Sequence, residues 1–467
     1  MRFVVGFVLL LALAAAGAWV YAGWGGPPAI AIEKPEKFLG RIGELEVAIT
    51  TPRGGVDELE IALEQNGQST PLFSLGQTDA SALVQAGADR VRVVRPLTRK
   101  DVPSLKSGEA HITVRAARLE LNGFRRLEAT ESKPIHVRLE PPRIAVVSTH
   151  HFVNHGGAEL VVYRTSPSDV TSGVRVGETT YPGYPLSGAG VQADPALRMA
   201  FFGLLFDQDL TTPVQVFAED EAGNRTSATV DVKPFRRPFR RSRIEITPQF
   251  LERVVPAILE NTRDFTVEAD DPIQAFLRIN GELREKNAAT IAAHARETAP
   301  EMLWRSAFQQ LTNSAVQSLF ADHRTYFYGG QEIDQQVHLG FDLAVTAAVP
   351  IGAANRGRVL FADYLGIYGN CVILDHGMGV QSLYAHLSSM DVGVGDMVDK
   401  GSTIGRSGMT GLAGGDHLHF TMLVNGQPVN PVEWWDPKWM EDRVLRKIRE
   451  AAPGMAAPVE TTAAAVP

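Results

Sequence analysis

Three segments in the last third of this 467-residue chain hold histidine and aspartate at spacings that suit a metal site. His338 precedes Asp342 by four positions, His386 follows in a separate segment, and His417 and His419 stand two positions apart. A catalytic zinc takes three protein ligands and keeps one coordination position open for water. The three segments therefore supply enough ligand groups for such a site, with histidines left over to flank it.

The alternation of apolar and polar residues around these positions predicts strands. Residues 337–343 read Val, His, Leu, Gly, Phe, Asp, Leu, a period-two pattern that is typical of a strand. Residues i, i+2 and i+4 of a strand share one face. We therefore expect His338 and Asp342 to project together, with Gly340 leaving room between them. The same alternation over residues 417–422 places His417 and His419 on one face of a second strand.

The order of these motifs resembles the catalytic domain of the M23 (LytM/lysostaphin-type) zinc metallopeptidases. The matching segments are residues 338–342, 369–377, 383–387, 405–411 and 417–420. The resemblance implies an antiparallel β LytM-type peptidase domain at residues 326–436 that binds one Zn²⁺. It implies His338, Asp342 and His419 as the metal ligands, and His386 and His417 as the catalytic histidines that do not bind the metal.

The resemblance also implies a reaction. We expect a zinc endopeptidase that hydrolyses peptide cross-links or stem peptides of bacterial peptidoglycan, with hydroxide made available by zinc at neutral pH. His417 or His386 would take the proton of the attacking water. A non-hydrolytic, wall-binding or regulatory LytM-like protein that activates another hydrolase is the alternative, and a peptidase acting on proteins is a weaker one. The complete set of His338, Asp342 and His419 favours the enzyme.

Other residues with reactive side chains are interpreted as structural. His376 sits in an Asp-His-Gly turn pattern. His151 and His155 are four positions apart, but they lie in a stretch, residues 149–157, that has turn residues and no acidic residue. Cys371 lies in an apolar, strand-like run, so burial is expected rather than catalysis. Lys400 lies in a hairpin similar to that of a lipoyl carrier, and an exposed turn position is the simpler interpretation.

Residues 1–24 predict a signal anchor or a signal peptide. The uncharged run over residues 3–22 is long enough to span a bilayer, and Trp24 suits an interfacial aromatic position. We therefore expect the chain on the periplasmic side of a bacterial cell envelope, anchored in the inner membrane by residues 3–22. Cys371 is the single cysteine, and an exported chain without disulfides suits a bacterial envelope better than a eukaryotic secretory pathway.

The net charge of −8 gives no argument for nucleic-acid binding. The partners we expect are peptidoglycan peptides, the inner membrane through the N-terminal segment, and further proteins of the envelope, with no nucleic acid.

The predicted fold class is multidomain and mainly β. Short alternating segments over residues 33–141 and again over 142–233 indicate two Ig-like β-sandwich domains, separated at the Pro141-Pro142 boundary. Their expected role is that of spacers with some contact function.

A helical block is predicted at residues 244–325. Thr247-Pro248 and Asp271-Pro272 are suitable helix starts, and residues 288–295 and 301–320 have helical apolar spacing. The hypothesis is that this block packs near the active site and restricts access, with a dimerisation or linker role as the alternative. Residues 437–467 predict a short helix and a disordered tail.

Overall fold

The computed structural model describes residues 2–23, 26–51, 55–77, 80–87, 89–121, 123–268 and 271–452. Strands hold about 45% and helices about 20% of the residues that the structure describes, which confirms the prediction of a mainly β protein. The chain forms two compact units, Met1–Pro142 with Glu219–Thr226, and Arg143–Ala218 with Ser227–Pro467. The count of Ig-like domains stays a prediction.

An apolar helix, α1 (Arg2–Gly23), is the first element. The 18-residue window Val4–Tyr21 has a mean hydropathy of 2.3 and none of it is buried. A helix of 22 residues reaches about 33 Å at about 1.5 Å per residue, which is enough for a hydrocarbon core of about 30 Å. The apolar segment is thus present as a helix. Its use as a membrane anchor or a signal peptide stays a prediction. Trp24 lies outside the described residues.

Two β-sheets form the rest of the first unit. Its strands are β1 (Ala29–Lys34), β2 (Phe38–Leu39), β3 (Ile42–Thr50), β4 (Glu58–Gln65), β5 (Gln68–Ser74), β6 (Leu83–Gln85), β7 (Arg90–Thr98), β8 (Gly108–Glu120) and β9 (Arg125–Val137). One sheet has the order β1-β3-β7-β6 and the other β2-β9-β8-β4-β5. Val47 and Val93 of the first sheet share one buried core with Ile61 and Ile112 of the second. This shared core is what sandwich packing requires.

The second unit begins with another set of short strands. They are β10 (Arg143–Val146), β11 (His151–Asn154), β12 (Ala158–Ser166), β13 (Thr171–Val176), β14 (Thr179–Pro182), β15 (Tyr184–Pro185), β16 (Leu197–Gly203), β17 (Val214–Glu219), β18 (Arg225–Thr229) and β19 (Val232–Phe235). The sheets have the orders β10-β12-β16-β15 and β14-β13-β17-β18, and β11 pairs with β19. We refer to residues 143–235 as the second sandwich.

The helical block begins after strand β20 (Arg241–Glu245). Its helices are α2 (Pro248–Asn261), α3 (Pro272–Arg278) and α4 (Arg284–His294), with a π-helical turn at Ile279–Leu283 between the last two. Thr247 caps α2 by accepting a hydrogen bond from the Phe250 amide. Asp271 caps α3 in the same way from the Ile273 amide. The polar residue before each proline therefore does start a helix, as predicted.

The prediction of helix over residues 301–320 was wrong. The helical block ends with a turn at Ala295–Glu297, and the chain then runs extended to strand β21 (Ala315–Ser318). The side chains of Met302, Trp304 and Phe308 are buried although the segment is not helical. Backbone hydrogen bonds of this segment go to other parts of the chain, from the Met302 amide to the Gly188 carbonyl and from Leu303 to His376. Apolar spacing alone did not distinguish this buried extended segment from a helix.

The C-terminal sheet holds the predicted motifs. Its strands and those of its neighbours are β22 (Asp322–Tyr328), β23 (Gln331–His338), β24 (Phe341–Ala344), β25 (Pro350–Gly352), β26 (Gly357–Tyr364), β27 (Asn370–Asp375), β28 (Val380–Leu387), β29 (Ser389–Met390), β30 (Met397–Val398), β31 (Thr403–Arg406), β32 (His417–Val424) and β33 (Gln427–Val429). The main sheet has the order β21-β24-β32-β28-β27-β26-β30, and β33 pairs with β32. Three-stranded sheets β20-β22-β23 and β25-β31-β29 complete this part.

Short helices follow the sheet. They are α5 (Pro431–Trp435), α6 (Pro437–Trp439) and α7 (Arg446–Ala451), with a π-helical turn at Met440–Leu445 before α7. The predicted helix after residue 436 is therefore present and includes Ala451, with which the predicted disordered tail begins; residues 453–467 of that tail lie outside the described residues. One apolar core joins the second sandwich, the extended segment and the C-terminal sheet, through residues such as Phe201, Trp304, Phe420 and Trp434.

Candidate metal centre

Three side chains in the C-terminal sheet direct one atom each at a common point. His338 Nε2 lies 2.9 Å from Asp342 Oδ1 and 2.9 Å from His419 Nδ1. His419 Nδ1 lies 3.1 Å from Asp342 Oδ1. All three residues are buried, with 5–8% of each exposed. Two imidazoles and one carboxylate thus converge inside the protein, as the sequence spacing predicted.

Strand pairing explains why they converge. Asp342 on β24 is directly opposite His419 on β32 in an antiparallel pair. His338 is the last residue of β23, where it is opposite Asp322. The prediction of one continuous strand over 337–343 was wrong, because β23 ends at His338 and β24 begins only at Phe341. The chain changes strands between the two ligand candidates and still brings them together.

Gly340 lies in the break between β23 and β24, where there is no space for a side chain. A Cβ atom at this position would lie 2.6 Å from both Cε1 and Nε2 of His419 and 2.6 Å from Thr421 Oγ1. The predicted role of Gly340 in leaving room is therefore accurate, and the room is taken by the His419 ring.

Hydrogen bonds to the outer ring nitrogens fix the tautomer of both candidate histidine ligands. His338 Nδ1 donates to the Leu319 carbonyl at 3.0 Å. His419 Nε2 donates to Thr421 Oγ1 at 3.0 Å, and Thr421 in turn donates to the Leu339 carbonyl. Each ring therefore directs its other nitrogen at the centre, where that nitrogen can bind a metal in the neutral form of the ring. This is the arrangement that supports metal-binding histidines, whose second nitrogen is normally held by a carbonyl or a carboxylate.

Asp342 divides its two oxygens in the same way. Oδ1 faces the histidines, and Oδ2 accepts a hydrogen bond from Arg324 Nη2 at 2.7 Å. Burial would raise the pKa of Asp342, but the neighbouring His338, His417 and His419 hold it well below its ordinary value. The carboxylate is therefore ionised, as a metal ligand must be.

His386 and His417 flank the centre. Their rings lie 4.8 Å apart, and the His386 ring lies 5.7 Å from that of His419. His386 Nδ1 donates to the Thr410 carbonyl and His417 Nδ1 to the Gly415 carbonyl, each at 2.8 Å. In its neutral form, each of these histidines therefore has Nε2 as a proton acceptor.

The backbone at His386 is unusual for a residue with a side chain. Its φ of 62° lies in the left-handed region, and the pairing of β27 with β28 shifts register between Asn370 and Val372, opposite this position. Ala385 is opposite His419, so plain alternation would direct His386 to the other face. The irregularity turns its ring toward the centre, as β-bulges near active sites do.

The two flanking histidines differ in their electrostatic surroundings. Burial and the nearby His417 and His419 lower the pKa of His386 well below its ordinary value. Burial also lowers the pKa of His417, but the hydrogen bond to Asp342, the charge of Asp342 and the hydrogen bond to the Gly415 carbonyl together outweigh burial, and the net shift of the pKa is upward. His386 is thus a neutral acceptor at pH 7, while His417 holds a proton more readily.

The donor set fits zinc. A tetrahedral Zn²⁺ with ligand bonds of about 2.0–2.2 Å requires ligand atoms about 3.3–3.6 Å apart, and the observed separations are 2.9–3.1 Å. Two neutral imidazoles and one carboxylate, with the outer atom of each held by the protein, are also the ligands that catalytic zinc sites use. These three residues could hold zinc with small outward movements.

A cleft of about 630 Å³ lies over the candidate centre. One wall carries Asp342, His386 and the two histidines of β32. Strand β20 and the helical block also line the cleft, through residues 244–247, Gln249, Phe250, Arg253, Phe276, Arg284 and Ala288. The block therefore packs beside the site, as hypothesised, and whether it restricts access stays a hypothesis.

The structure places the remaining reactive side chains outside this centre. His376 is fully buried and bonds to the Arg356 carbonyl and Ser382 Oγ. His151 is buried against Ser148 and the Asp231 carbonyl, and His155 contacts the Gln208 carbonyl. Cys371 is buried in β27, and burial raises the pKa of its thiol. Lys400 donates to the Ala307 carbonyl.

Sequence reasoning missed two residues of the centre. Arg324 binds the outer oxygen of Asp342, and the Tyr368 ring packs edge-on against His419 at 5.6 Å. Arg324 is one of many arginines in the chain, and its alternating strand gave no sign of a partner 18 residues later. Tyr368 lies in a turn at Gly366–Tyr368 whose position depends on the fold.

The fold and the site together define a class, an antiparallel β domain with a His-Asp-His cluster at the base of a cleft. Residues 336–431 match the model of Peptidase family M23, and the chain thus carries an M23 domain. Members of this family are zinc metallopeptidases. The resemblance on which the sequence interpretation relied is confirmed.

Three curated proteins are similar to this region. The DD-carboxypeptidase/endopeptidase Mpg of Neisseria meningitidis serogroup B is 43% identical over 97 residues. The aligned residues are 21% of this chain and 22% of Mpg. The Peptidoglycan DD-endopeptidase ShyA of Vibrio cholerae is 29% identical over 163 residues, 34% of each chain. The Murein hydrolase activator EnvC of Escherichia coli is 36% identical over 107 residues, 23% of this chain and 26% of EnvC. The chain thus matches only about a quarter to a third of the length of these relatives.

Proposed function

We propose that this protein is a zinc-dependent endopeptidase that hydrolyses peptide cross-links or stem peptides of bacterial peptidoglycan. The observation that carries the proposal is the convergence of His338, Asp342 and His419 at the base of a cleft, each with its outer atom already held by the protein. The similarity to Mpg and ShyA, both named as endopeptidases, supports the same reaction class.

The chemistry follows from the positions of the side chains. His338, Asp342 and His419 are the proposed ligands of one Zn²⁺, which supplies a hydroxide nucleophile at neutral pH and a Lewis acid for the peptide carbonyl. His386 and His417 are the proposed catalytic histidines. Each has Nδ1–H held by a backbone carbonyl, so Nε2 can accept the proton of the attacking water and return it to the leaving amine.

The proposed location is the periplasmic side of a bacterial cell envelope. The helix α1 is apolar and long enough to cross a bilayer, and residues 3–22 are the proposed inner-membrane anchor. Peptidoglycan peptides are the proposed substrate partners, and the similarity to EnvC and ShyA supports a role at the cell wall.

One observation supports a second candidate function, that of a non-hydrolytic activator. The same region is similar to EnvC, a protein named as an activator of murein hydrolases. A non-hydrolytic activator would need the cleft as a binding surface but would not need three converging ligand atoms. The complete cluster and its supporting hydrogen bonds therefore favour the enzyme.

Metal removal and return tests the proposal. The full chain, purified in detergent, is treated with a chelator and then given one equivalent of Zn²⁺, and hydrolysis of cross-linked muropeptide dimers is followed by chromatography. We expect no cleavage without metal and restored cleavage with zinc. Asp342→Ala and His419→Ala should stay inactive under both conditions. An intact, zinc-loaded protein that cleaves no dimer would favour the activator.

A further inference from the structure

Some charged side chains of the cleft form salt bridges and others do not. Arg324 is paired with Asp342, and Glu245 at the rim is paired with Arg243. The cleft also contains Arg253 and Arg284, both on the wall formed by the helical block. Among the described residues, no carboxylate lies within salt-bridge distance of either guanidinium. Two positive charges therefore face the substrate space without an anionic partner.

Arg284 is held in place by neutral groups. It follows the π-helical turn Ile279–Leu283, and its guanidinium donates to the Asn280 carbonyl at 3.0 Å and to Asn280 Oδ1 at 2.5 Å. Asn280 is fully buried and itself donates to Asp334 at 2.7 Å. The position of the guanidinium is thus fixed while its charge is left uncompensated, an arrangement that suits recognition of an anion.

Arg253 lies on helix α2 and is held in a similar way. Its Nη2 donates to the Ala413 carbonyl at 2.7 Å. Ala413 lies in the loop that leads to His417, and Gly414 and Gly415 of this loop line the cleft. In the described part of the chain, no other residue hydrogen-bonds to the Arg253 guanidinium, so its remaining hydrogens can bind a ligand.

Helix α4 places Arg284 near the candidate metal centre. Asn287, one turn further along this helix, accepts a hydrogen bond from the Ile367 amide at 3.0 Å. The next residue is Tyr368, whose ring packs on His419. A substrate whose scissile bond lies at the metal centre would occupy the same cleft as the two arginines.

We propose that Arg253 and Arg284 are specificity-determining residues that bind a free carboxylate of the substrate peptide beside the scissile bond. This inference rests on the proposed peptidoglycan endopeptidase function and narrows it. A cross-link to diaminopimelate keeps a carboxylate next to the amide bond, whereas a bridge made of glycine has no side-chain carboxylate. The substrate class is therefore the acidic, diaminopimelate-type cross-link.

Binding without hydrolysis tests this most cleanly. The probe is a dye-labelled, diaminopimelate-type muropeptide dimer, prepared with the carboxylate beside the cross-link either free or amidated. Its affinity for the full chain is measured in detergent by fluorescence anisotropy after chelation of metals, so that no cleavage occurs. We expect the free-acid dimer to bind about tenfold tighter than the amidated dimer, since hydrogen bonds between charged groups are the stronger ones.

Single substitutions assign the preference to the two arginines. Arg284→Gln and Arg253→Gln should each remove most of the preference for the free acid and leave binding of the amidated dimer unchanged. Arg263→Gln is the matched control, because Arg263 is an exposed arginine of the same block that does not line the cleft. Arg284→Lys should restore part of the preference by returning the charge. Arg253 is exposed, so its variant should fold even if Arg284→Gln does not.

Three results would overturn the inference. They are equal binding of the two dimers by the wild type, equal weakening of both dimers in the arginine variants, and a loss in Arg263→Gln as large as in the others. The proposed function fails separately, if the zinc-loaded wild type prefers the acidic dimer but does not cleave it.

Discussion

The side chains of the candidate centre have complementary tasks. His338 and His419 each commit one nitrogen to a carbonyl or hydroxyl and leave the other for a metal. Asp342 commits one oxygen to Arg324. Because the outer atoms are fixed, less conformational entropy is lost when the inner atoms bind a metal, which is the advantage of preorganised ligands.

Removal of Arg324 should weaken metal binding without touching a ligand. In Arg324→Met, the outer oxygen of Asp342 is buried and unpaired, and the carboxylate can rotate away from the histidines. We expect zinc affinity to fall about 10–100-fold, measured by competition with a chromogenic zinc chelator. Arg241→Met is the control, since Arg241 is exposed on the adjacent strand β20. Unchanged affinity in a folded Arg324→Met protein would show that the pair has no role in the site.

The ligand candidates could be predicted because they occur in pairs that are close together in the sequence. His338 with Asp342, and His417 with His419, have spacings that restrict which side chains can meet. Arg324 could not be predicted, because its pairing with Asp342 depends on how β22 lies against β23 and β24. The orientation of the His386 side chain could not be predicted from the alternation of apolar and polar residues either, because it depends on the left-handed backbone conformation of His386 within a strand.

Elements position the site mainly through their ends and irregularities. The break between β23 and β24 places His338 beside Asp342, and the register of β24 against β32 places Asp342 beside His419. The break requires a residue without a side chain at position 340. The pairing could be expected from the motif order, whereas the break could not, because the period-two pattern continues through it.

Gly340→Ala should test this element-level requirement. The added methyl group would lie 2.6 Å from the His419 ring and the Thr421 hydroxyl, so the ring must move. We expect at least tenfold weaker zinc binding and a stability loss of about 1–3 kcal/mol from overpacking, measured by metal titration and denaturant unfolding. Gly414→Ala is the control, because nothing lies within 4 Å of the methyl position there. Equal behaviour of the two variants would contradict the account of Gly340.

Helix α5 is joined to the second sandwich by a buried carboxyl group. Glu433 accepts hydrogen bonds from Asn154 Nδ2 at 2.6 Å and from the Ala158 amide at 2.7 Å. Burial raises the pKa of Glu433 from 4.5 to about 7. The folded protein therefore retains this proton at a pH at which the unfolded chain has released it. Stability from this group is present at pH 4.5 and is lost as the pH rises through about 7.

Glu433→Ala should lower the free energy of unfolding, and the size of this loss should depend on pH. The two donors lose their acceptor, which costs about 1–3 kcal/mol per buried group. The difference in unfolding free energy between wild type and Glu433→Ala should shrink from pH 4.5 to pH 8. Tryptophan fluorescence is a suitable measure, because Trp434, Trp435 and Trp439 lie in this region. Glu450→Ala, at an exposed position, should show no such trend, and a constant difference for Glu433→Ala would contradict the pKa shift.

At the scale of the whole molecule, the M23 domain shares its core with the second sandwich. Phe201 of the sandwich packs against Trp304 and Trp434 at 6.1 and 5.8 Å, and Phe308 packs against Trp434 at 5.5 Å. The sequence predicted separate modules because each strand run has its own alternation. It could not show that the extended segment around Trp304 fills the space between them.

This shared core predicts how truncated chains behave. A fragment of residues 326–436 lacks Phe201, Trp304 and Phe308, and would expose the apolar surface that they cover. We expect it to aggregate or to unfold at a much lower temperature than a fragment of residues 143–452, as measured by size-exclusion chromatography and thermal unfolding. A soluble, cooperatively folded 326–436 fragment would show that the sandwich is dispensable for the fold of the peptidase domain.

The most direct measurement is mass spectrometry of muropeptides released from purified peptidoglycan by the zinc-loaded full chain. We expect soluble products in which cross-linking peptide bonds have been hydrolysed, each with the mass of one added water, and none from an Asp342→Ala control prepared in the same way. A wild-type product profile identical to that of the control, from a protein that is folded and carries one zinc, would contradict the account.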